Sequence, residues 1–358
     1  MEPIYRIESY DYHLPEAQIA QKPAARREGS RLLQVDCQTG LLADGVFPDL
    51  PRLFAPGDVM VLNDTRVFPA RLKGHKETGG KVELLLLHYP EPAAGLSGEA
   101  DVQALLKSSK RPKSGSLLVF GPNLEATIKE IRTDGSVQVL LRWQGDLFEL
   151  LKQHGELPLP PYINRASGPD ADDNRRYQTV YARQNGAIAA PTAGLHFTGE
   201  LLTGLRAQGV EIATVTLHVG YGTFAPVRAQ DIREHSIHSE WVAVPAETAE
   251  AISRAKAADR RVWAIGTTSA RALEFAADGA GSVTAGAGAC RLYIYPGYKY
   301  QVVDNLITNF HLPKSSLLFM VSAFAGREVV MAAYQEALRL GYRFYSYGDA
   351  MALIRKTK

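Results

Sequence analysis

Three of the nine histidines in this chain fall where a short apolar run breaks into glycine-rich or polar text. Ala187–Ala190 leads into Pro191-Thr192-Ala193-Gly194-Leu195-His196-Phe197. Val210–Leu217 leads into His218-Val219-Gly220-Tyr221-Gly222-Thr223-Phe224. Leu306–Phe310 contains Thr308-Asn309 and runs into His311-Leu312-Pro313. A fourth run, Val262–Ile265, is followed by Gly266-Thr267-Thr268-Ser269 and then Arg271. Apolar runs of this length read as strands, and α/β sheets bind ligands at the carboxyl ends of their strands. His196, His218, Arg271, Asn309 and His311 are therefore expected around one cleft, with Thr192 and Thr267 in the same loops. Gly194, Gly220, Gly222 and Gly266 would let backbone approach a ligand closely. One histidine after a strand is more often a turn residue than a catalyst. Four such loops in one region point to a site.

A second cluster is His235-Ser236-Ile237-His238-Ser239-Glu240. Histidines three apart can share a helix face and bind a metal, but no third ligand lies at an established spacing. The cluster could instead do acid/base work, with Glu240 tuning His238, or be a solvated loop. The cationic run Lys107-Ser108-Ser109-Lys110-Arg111-Pro112-Lys113 is either a solvated loop or a grip on a phosphate backbone. Neither a GxGxxG fingerprint nor a Walker loop is present, which argues against a nicotinamide enzyme or an NTPase.

The elements that must position these residues fall into two kinds of text. From Val59 to about residue 150 the chain reads as short strands separated by turns such as Thr133-Asp134-Gly135. That pattern suits a small β-barrel. Leu157-Pro158-Leu159-Pro160-Pro161 then punctuates the chain. Beyond it strands alternate with helices, expected at Thr198–Gln208, Thr248–Ala258, Ser269–Ala277 and Gly326–Leu340. Leu292–Tyr295 reads as another strand, and the small-residue stretch Gly279–Ala289 as a loop. The expected fold is α/β with two domains. Residues 1–58 and 151–358 form a larger α/β domain, and residues 59–150 an inserted small β-barrel.

At 358 residues, 46% of them hydrophobic, the chain is long enough for two cores. A formal net charge of +2 means that any nucleic-acid site must be a local patch. Two cysteines far apart exclude a disulfide framework and fit a reducing cytosol. The apolar run Leu317–Ala325 is too short to span a bilayer, and the start of the chain has no signal pattern.

The motifs around His196, His218 and Asn309 resemble those of the S-adenosylmethionine:tRNA ribosyltransferase-isomerases of queuosine biosynthesis. The likeness extends nearly end to end. It includes Ser30-Arg31-Leu32-Leu33, Asn63-Asp64-Thr65-Arg66-Val67, Leu157 to Ile163, Arg176-Tyr177-Gln178-Thr179-Val180-Tyr181, Gly266-Thr267-Thr268-Ser269 and Tyr295-Pro296-Gly297-Tyr298. Departures are Ile237, where methionine is common, and the loop at Gly279–Ala289.

The resemblance implies transfer and isomerisation of the ribosyl part of S-adenosylmethionine onto 7-aminomethyl-7-deazaguanine at the wobble position of tRNA. The products are epoxyqueuosine, adenine and methionine. It implies a cytoplasmic enzyme with no metal, no membrane and no obligate protein partner. A sulfonium acidifies the C5′ hydrogens, so the chemistry needs a base there, a proton for departing adenine and a neutral attacking amine. Histidine titrates in the right range for these tasks. His196, His218, His238 and Glu240 are the expected acid/base groups, with His196 and His218 ranked above His238. Thr192, Gly194, Gly220, Gly222, Thr267, Arg271, Asn309 and His311 are expected to bind substrate. Phe197, Tyr221 and Phe224 are candidate faces for the cationic sulfonium. Lys107, Lys110, Arg111 and Lys113 are expected to hold tRNA.

Overall fold

The computed structural model describes residues 2–90, 97–166, 168–224 and 226–356, with the side chain of Phe224 outside that description. Strands β1 (Arg31–Asp36) and β2 (Leu42–Val46) form an antiparallel pair, and β3 (Val59–Asn63) follows, buried along its whole length. A short β4 (Thr65–Val67) leads to β5 (Arg71–Lys76), β6 (Lys81–Leu86), β7 (Ser97–Ser108), β8 (Leu117–Gly121), β9 (Leu124–Ile131) and β10 (Ser136–Gln144). Helix α1 (Leu147–His154) starts where the Asp146 side chain accepts the Glu149 N–H, and two-residue β11 (Gly155–Glu156) follows. Helix α2 (Ala171–Arg176) opens with a capping box between Asp170 and Asp173. The rest alternates: β12 (Gln184–Ala187), α3 (Gly199–Ala207), β13 (Glu211–Leu217), β14 (Glu240–Val244), α4 (Ala246–Ala257), β15 (Val262–Ile265), α5 (Thr267–Phe275), β16 (Gly286–Cys290) and β17 (Asn305–Asn309). The chain closes with α6 (Ser316–Ala325), α7 (Arg327–Arg339) and β18 (Ala350–Ile354).

Nine strands form one sheet in the order β16-β14-β13-β3-β15-β17-β18-β1-β2. Its centre, β13-β3-β15-β17, is parallel. The chain passes from β3 to β13 on one side and then to β15 on the other. The carboxyl end of β3 is thus a topological switch point, where open α/β sheets hold their ligands. Alternate residues of β3 serve opposite faces. Val59 and Val61 join the larger core, and Met60 and Leu62 join a second core with Phe54, Trp263 and Leu205.

The second sheet closes on itself. The order β5-β6-β7-β10-β9-β8 is completed by a β5–β8 pairing, giving a six-stranded barrel with β11 added on β5. A Cβ on Gly74 would lie 2.2 Å from the Val119 carbonyl oxygen, so the seam closes only because Gly74 has none. The fold is therefore an α/β domain carrying an inserted small β-barrel.

Three expectations are corrected. Val59–Asn63 is an inner strand of the large sheet, not the first strand of the 59–150 segment; its uninterrupted burial is the mark of a parallel strand covered on both faces. Leu292–Tyr295 forms no strand. Within the expected loop, Gly286–Cys290 pairs with β14 as the sheet's edge, where backbone hydrogen bonds suffice without side-chain packing. Among the described residues no single helix is long and apolar enough to cross a membrane; α6 and α7 are bent against each other by 114°.

Candidate active site

Two adjoining hollows lie at the carboxyl ends of the parallel strands and share Thr223, Thr267, Thr268 and Leu317. Counting the open mouths, the space between the walls is about 700 Å³ in the first and about 590 Å³ in the second. Asn63, at the end of β3, ties the floor together: its Nδ2 donates to the Leu217 carbonyl (2.9 Å) and to Thr268 Oγ1 (3.1 Å). Gly266, at φ +87°, turns the chain from β15 directly into α5. The unpaired N–H groups of the first turn of α5 therefore start at the shared wall.

The first hollow is rich in hydroxyls, from Thr192, Thr267, Thr308, Ser315 and Ser346 among others. Asn309 donates to His196 Nε2 (3.2 Å) and to the Tyr345 carbonyl (3.2 Å). Its Oδ1 is buried without a partner, an acceptor left for a ligand. His311 is held by Thr308 Oγ1 (2.9 Å), and burial pushes its imidazole down to about 3. Two tyrosines escaped the sequence reading. Tyr162 and Tyr345 line this hollow with ring centroids 4.7 Å apart, and Tyr162 Oη shares a 2.6 Å hydrogen bond with Ser346. Tyr345 holds φ +72°, a conformation that costs a bulky residue on the order of 1–3 kcal/mol. Its strained backbone turns the ring toward the hollow, but nothing local in the sequence announces it.

The second hollow is lined by His235, His238, Glu240 and Arg271. Glu240 is buried; its Oε1 accepts the Gly220 N–H (2.8 Å) and its Oε2 pairs with Arg271 Nη1. Burial raises the Glu240 carboxyl, with Arg271 pulling the other way. Arg271 also donates to three carbonyls: Leu292 (2.9 Å), His238 (3.2 Å) and Cys290 (3.3 Å). The pair therefore fixes the backbone at His238. The His238 ring is exposed and packs over Gly222, where a Cβ would lie 2.3 Å from it. Among the described residues, no hydrogen bond holds that ring.

The other expected residues scatter. His196 is 4% exposed and lines neither hollow. Ser30 Oγ holds its Nδ1 at 2.7 Å, Asn309 holds its Nε2, and Phe47 packs on the ring. Gly194 also faces away, because its missing Cβ makes room for the Tyr181 hydroxyl. His218 and Gly220 line a separate cleft, open to solvent and about 640 Å³ in volume, between the sheet and the barrel. Phe197 is fully buried and Tyr221 is 40% exposed, while the Phe224 side chain lies outside the described residues. Lys107, Lys110, Arg111 and Lys113 are exposed on the barrel, and Lys107 shares a concave face with Lys73, His75 and Lys81. Among the described residues, no three His, Cys, Asp or Glu side chains come together to hold a metal.

Burial also holds the imidazoles of His196 and His218 down at about 4, against an ordinary 6.5. His196, His218 and His311 are neutral in the fold and take up protons on unfolding once the pH falls below about 6.5. Their contribution to stability is complete above that pH and drains as the pH falls toward about 4, at about 1.4 kcal/mol per pH unit for each uncompensated proton. Melting curves between pH 7.5 and 4.5 should show this loss, and His218→Gln should make the decline shallower. An unchanged slope in that variant would count against a neutral, buried His218.

The fold and site define an α/β enzyme with a trough of two hollows at the carboxyl ends of its parallel strands and an attached barrel that carries exposed lysines. The chain belongs to the queuosine biosynthesis protein family, whose model matches residues 7–353. It is 51% identical over 350 residues to the S-adenosylmethionine:tRNA ribosyltransferase-isomerase of Desulfotalea psychrophila, covering 97% of each chain. It is likewise 51% identical over 350 residues to that of Syntrophotalea carbinolica, covering 98% of this chain and all of the other. The crystal structure of the S-adenosylmethionine tRNA ribosyltransferase from Thermotoga maritima is similar at 32% identity and a TM-score of 0.55, over 97% of this chain and 100% of that one.

Proposed function

We infer that this chain is an S-adenosylmethionine:tRNA ribosyltransferase-isomerase acting in queuosine biosynthesis. It transfers and isomerises the ribosyl unit of S-adenosylmethionine onto 7-aminomethyl-7-deazaguanine at the tRNA wobble position. Epoxyqueuosine forms, and adenine and methionine leave. The observation that carries this reading is the near full-length identity to relatives bearing that name, which spans the trough and the barrel together. We place the reaction in the cytoplasm, where its tRNA substrate is found, and assign it no metal and no obligate protein partner.

The trough suggests how the work divides. Hydroxyls of Thr192, Thr267 and Thr308 take the sugar, and the free Oδ1 of Asn309 accepts from a ligand N–H or O–H. The first turn of α5 faces the methionyl carboxylate. Tyr162 and Tyr345 offer aromatic faces to the sulfonium. His238, exposed and unheld, is the group placed to take the C5′ proton. Glu240 and Arg271 act through it as positioning residues, since they fix its backbone. This reverses the ranking drawn from sequence, because both ring nitrogens of His196 are occupied and His218 faces the other cleft.

Incubation with S-adenosylmethionine and tRNA bearing the aminomethyl base should release adenine and methionine in equal amounts. S-adenosylhomocysteine with a methylated tRNA would refute the reading. The barrel lysines make a separate expectation. Changing Lys107, Lys110, Arg111 and Lys113 together to Ala should weaken tRNA binding while S-adenosylmethionine binding persists. Each lost phosphate contact should flatten the log–log salt dependence by roughly one unit. An unchanged slope would return the run to a solvated loop.

A further inference from the structure

The cleft between barrel and sheet holds an arrangement that the ribosyl transfer chemistry does not use. Trp241, on β14, is 43% exposed and stacks on the His218 ring with centroids 5.0 Å apart and planes 17° apart. His218 cannot swing away. Thr65 Oγ1 holds its Nδ1 at 2.8 Å, and a Cβ on Gly186 would lie 2.4 Å from the ring. The pair is a fixed, flat aromatic stack in the wall of the cleft. In the same wall, Asn185 Oδ1 is buried without a hydrogen-bond partner. A flat ligand with an edge N–H fits that combination.

The cleft also has an approach. The ribbon β6–β7 alternates buried and outward residues, so Glu83 lies beside Lys107 and Leu85 beside Leu105, with Lys81 at one end of the stripe and Leu87 beside Gln103 toward the other. One end of this outward stripe is the concave lysine face; the other, at Leu87 and Asp101, is the lip of the cleft. At about 3.4 Å per residue, the stripe is roughly 20 Å long. At its inner end the cleft backs onto the trough: Val219 lines both the cleft and the first hollow, and Glu240 lines both the cleft and the second.

We propose that the Trp241–His218 stack is a binding subsite for an unpaired nucleobase of the substrate RNA, next in the strand to the base that enters the trough. This rests on the tRNA substrate inferred above. Bases of any identity stack on an aromatic platform, and the lysines Lys73, Lys81 and Lys107 lie at the far end of the outward stripe, where a backbone leaving the cleft would pass. The subsite would hold the loop open and set the register that presents the reacting base.

Fluorescence can read the stack directly. Of the three tryptophans, Trp143 and Trp263 are buried at 3% and 0% exposure, so Trp241 is the one a ligand can reach. Adding an anticodon stem-loop should quench the wild-type emission, and Trp241→Phe should abolish that quenching while keeping most of the affinity. Trp241→Leu should weaken stem-loop binding roughly ten- to a hundred-fold, with the Kd for S-adenosylmethionine unchanged. Near-normal affinity of the Phe variant would show that the loss in the Leu variant is loss of stacking rather than of fold. The proposal is overturned if Trp241→Leu binds the stem-loop like wild type. It is equally overturned if that variant loses S-adenosylmethionine instead, which would make the platform an adenine site. Wild-type adenine release, measured alongside, separates the two levels. Release without any Trp241 effect removes only the subsite, whereas no release and no RNA binding removes the enzymatic reading as well.

Discussion

Replacing Arg271 with methionine is expected to destabilise the fold by about 3–5 kcal/mol, because it leaves a buried carboxylate uncompensated. Both members of the pair are nearly buried, with side-chain exposures of 10% for Arg271 and 8% for Glu240. The guanidinium also satisfies the carbonyls of His238, Cys290 and Leu292, on two separate stretches of chain. Its loss therefore unties β14 from β16 and from the segment beyond. Denaturant midpoints would measure the effect. The double variant Arg271→Met/Glu240→Leu should recover part of the loss, since removing both charges relieves the orphaned carboxylate. A single-variant cost below about 1 kcal/mol would mean that the pair is solvated, like an exposed ion pair.

His238→Asn is expected to slow ribosyl transfer about 10²- to 10⁴-fold, the usual loss when a general base is removed. Asn keeps a polar group of similar size but cannot carry a proton near neutral pH. Binding of S-adenosylmethionine should persist, since the polar hydroxyls and Asn309 lie in the first hollow. Loss of deuterium from C5′-labelled S-adenosylmethionine follows the step itself. His196→Asn should behave differently: it removes a buried, doubly hydrogen-bonded ring, so it lowers stability while folded protein still exchanges the label. If His238→Asn exchanges at the wild-type rate, the base lies elsewhere and the trough must be reassigned.

The division between what the sequence disclosed and what it hid follows from range. The parallel strands β13, β15 and β17 were readable because they are short apolar runs whose ends carry glycine or polar residues. The barrel was readable from evenly spaced turns. The burial of His196 was not, because it depends on Ser30 and Phe47, about 150 residues away. The order around His238 was hidden as well: its neighbours in sequence are polar, yet the stretch is pinned through Arg271 on α5. Tyr162 sits in a segment that reads as proline punctuation, and Tyr345 follows a helix end with no motif. Their meeting is purely tertiary. The membership of Val59–Asn63 in the large sheet was hidden because it lies next in sequence to the barrel strands.

The central claim is that the sugar of S-adenosylmethionine, not its methyl group, ends on the RNA. Two parallel reactions decide it, one with S-adenosylmethionine carrying ¹³C in the ribosyl carbons and one with ¹³C in the methyl carbon. Each is followed by mass analysis of the nucleosides from the digested tRNA. The expected result is that the ribosyl label enters the wobble nucleoside in full and the methyl label leaves with methionine. Methyl label in the RNA, with the ribosyl label retained in S-adenosylhomocysteine, would contradict it.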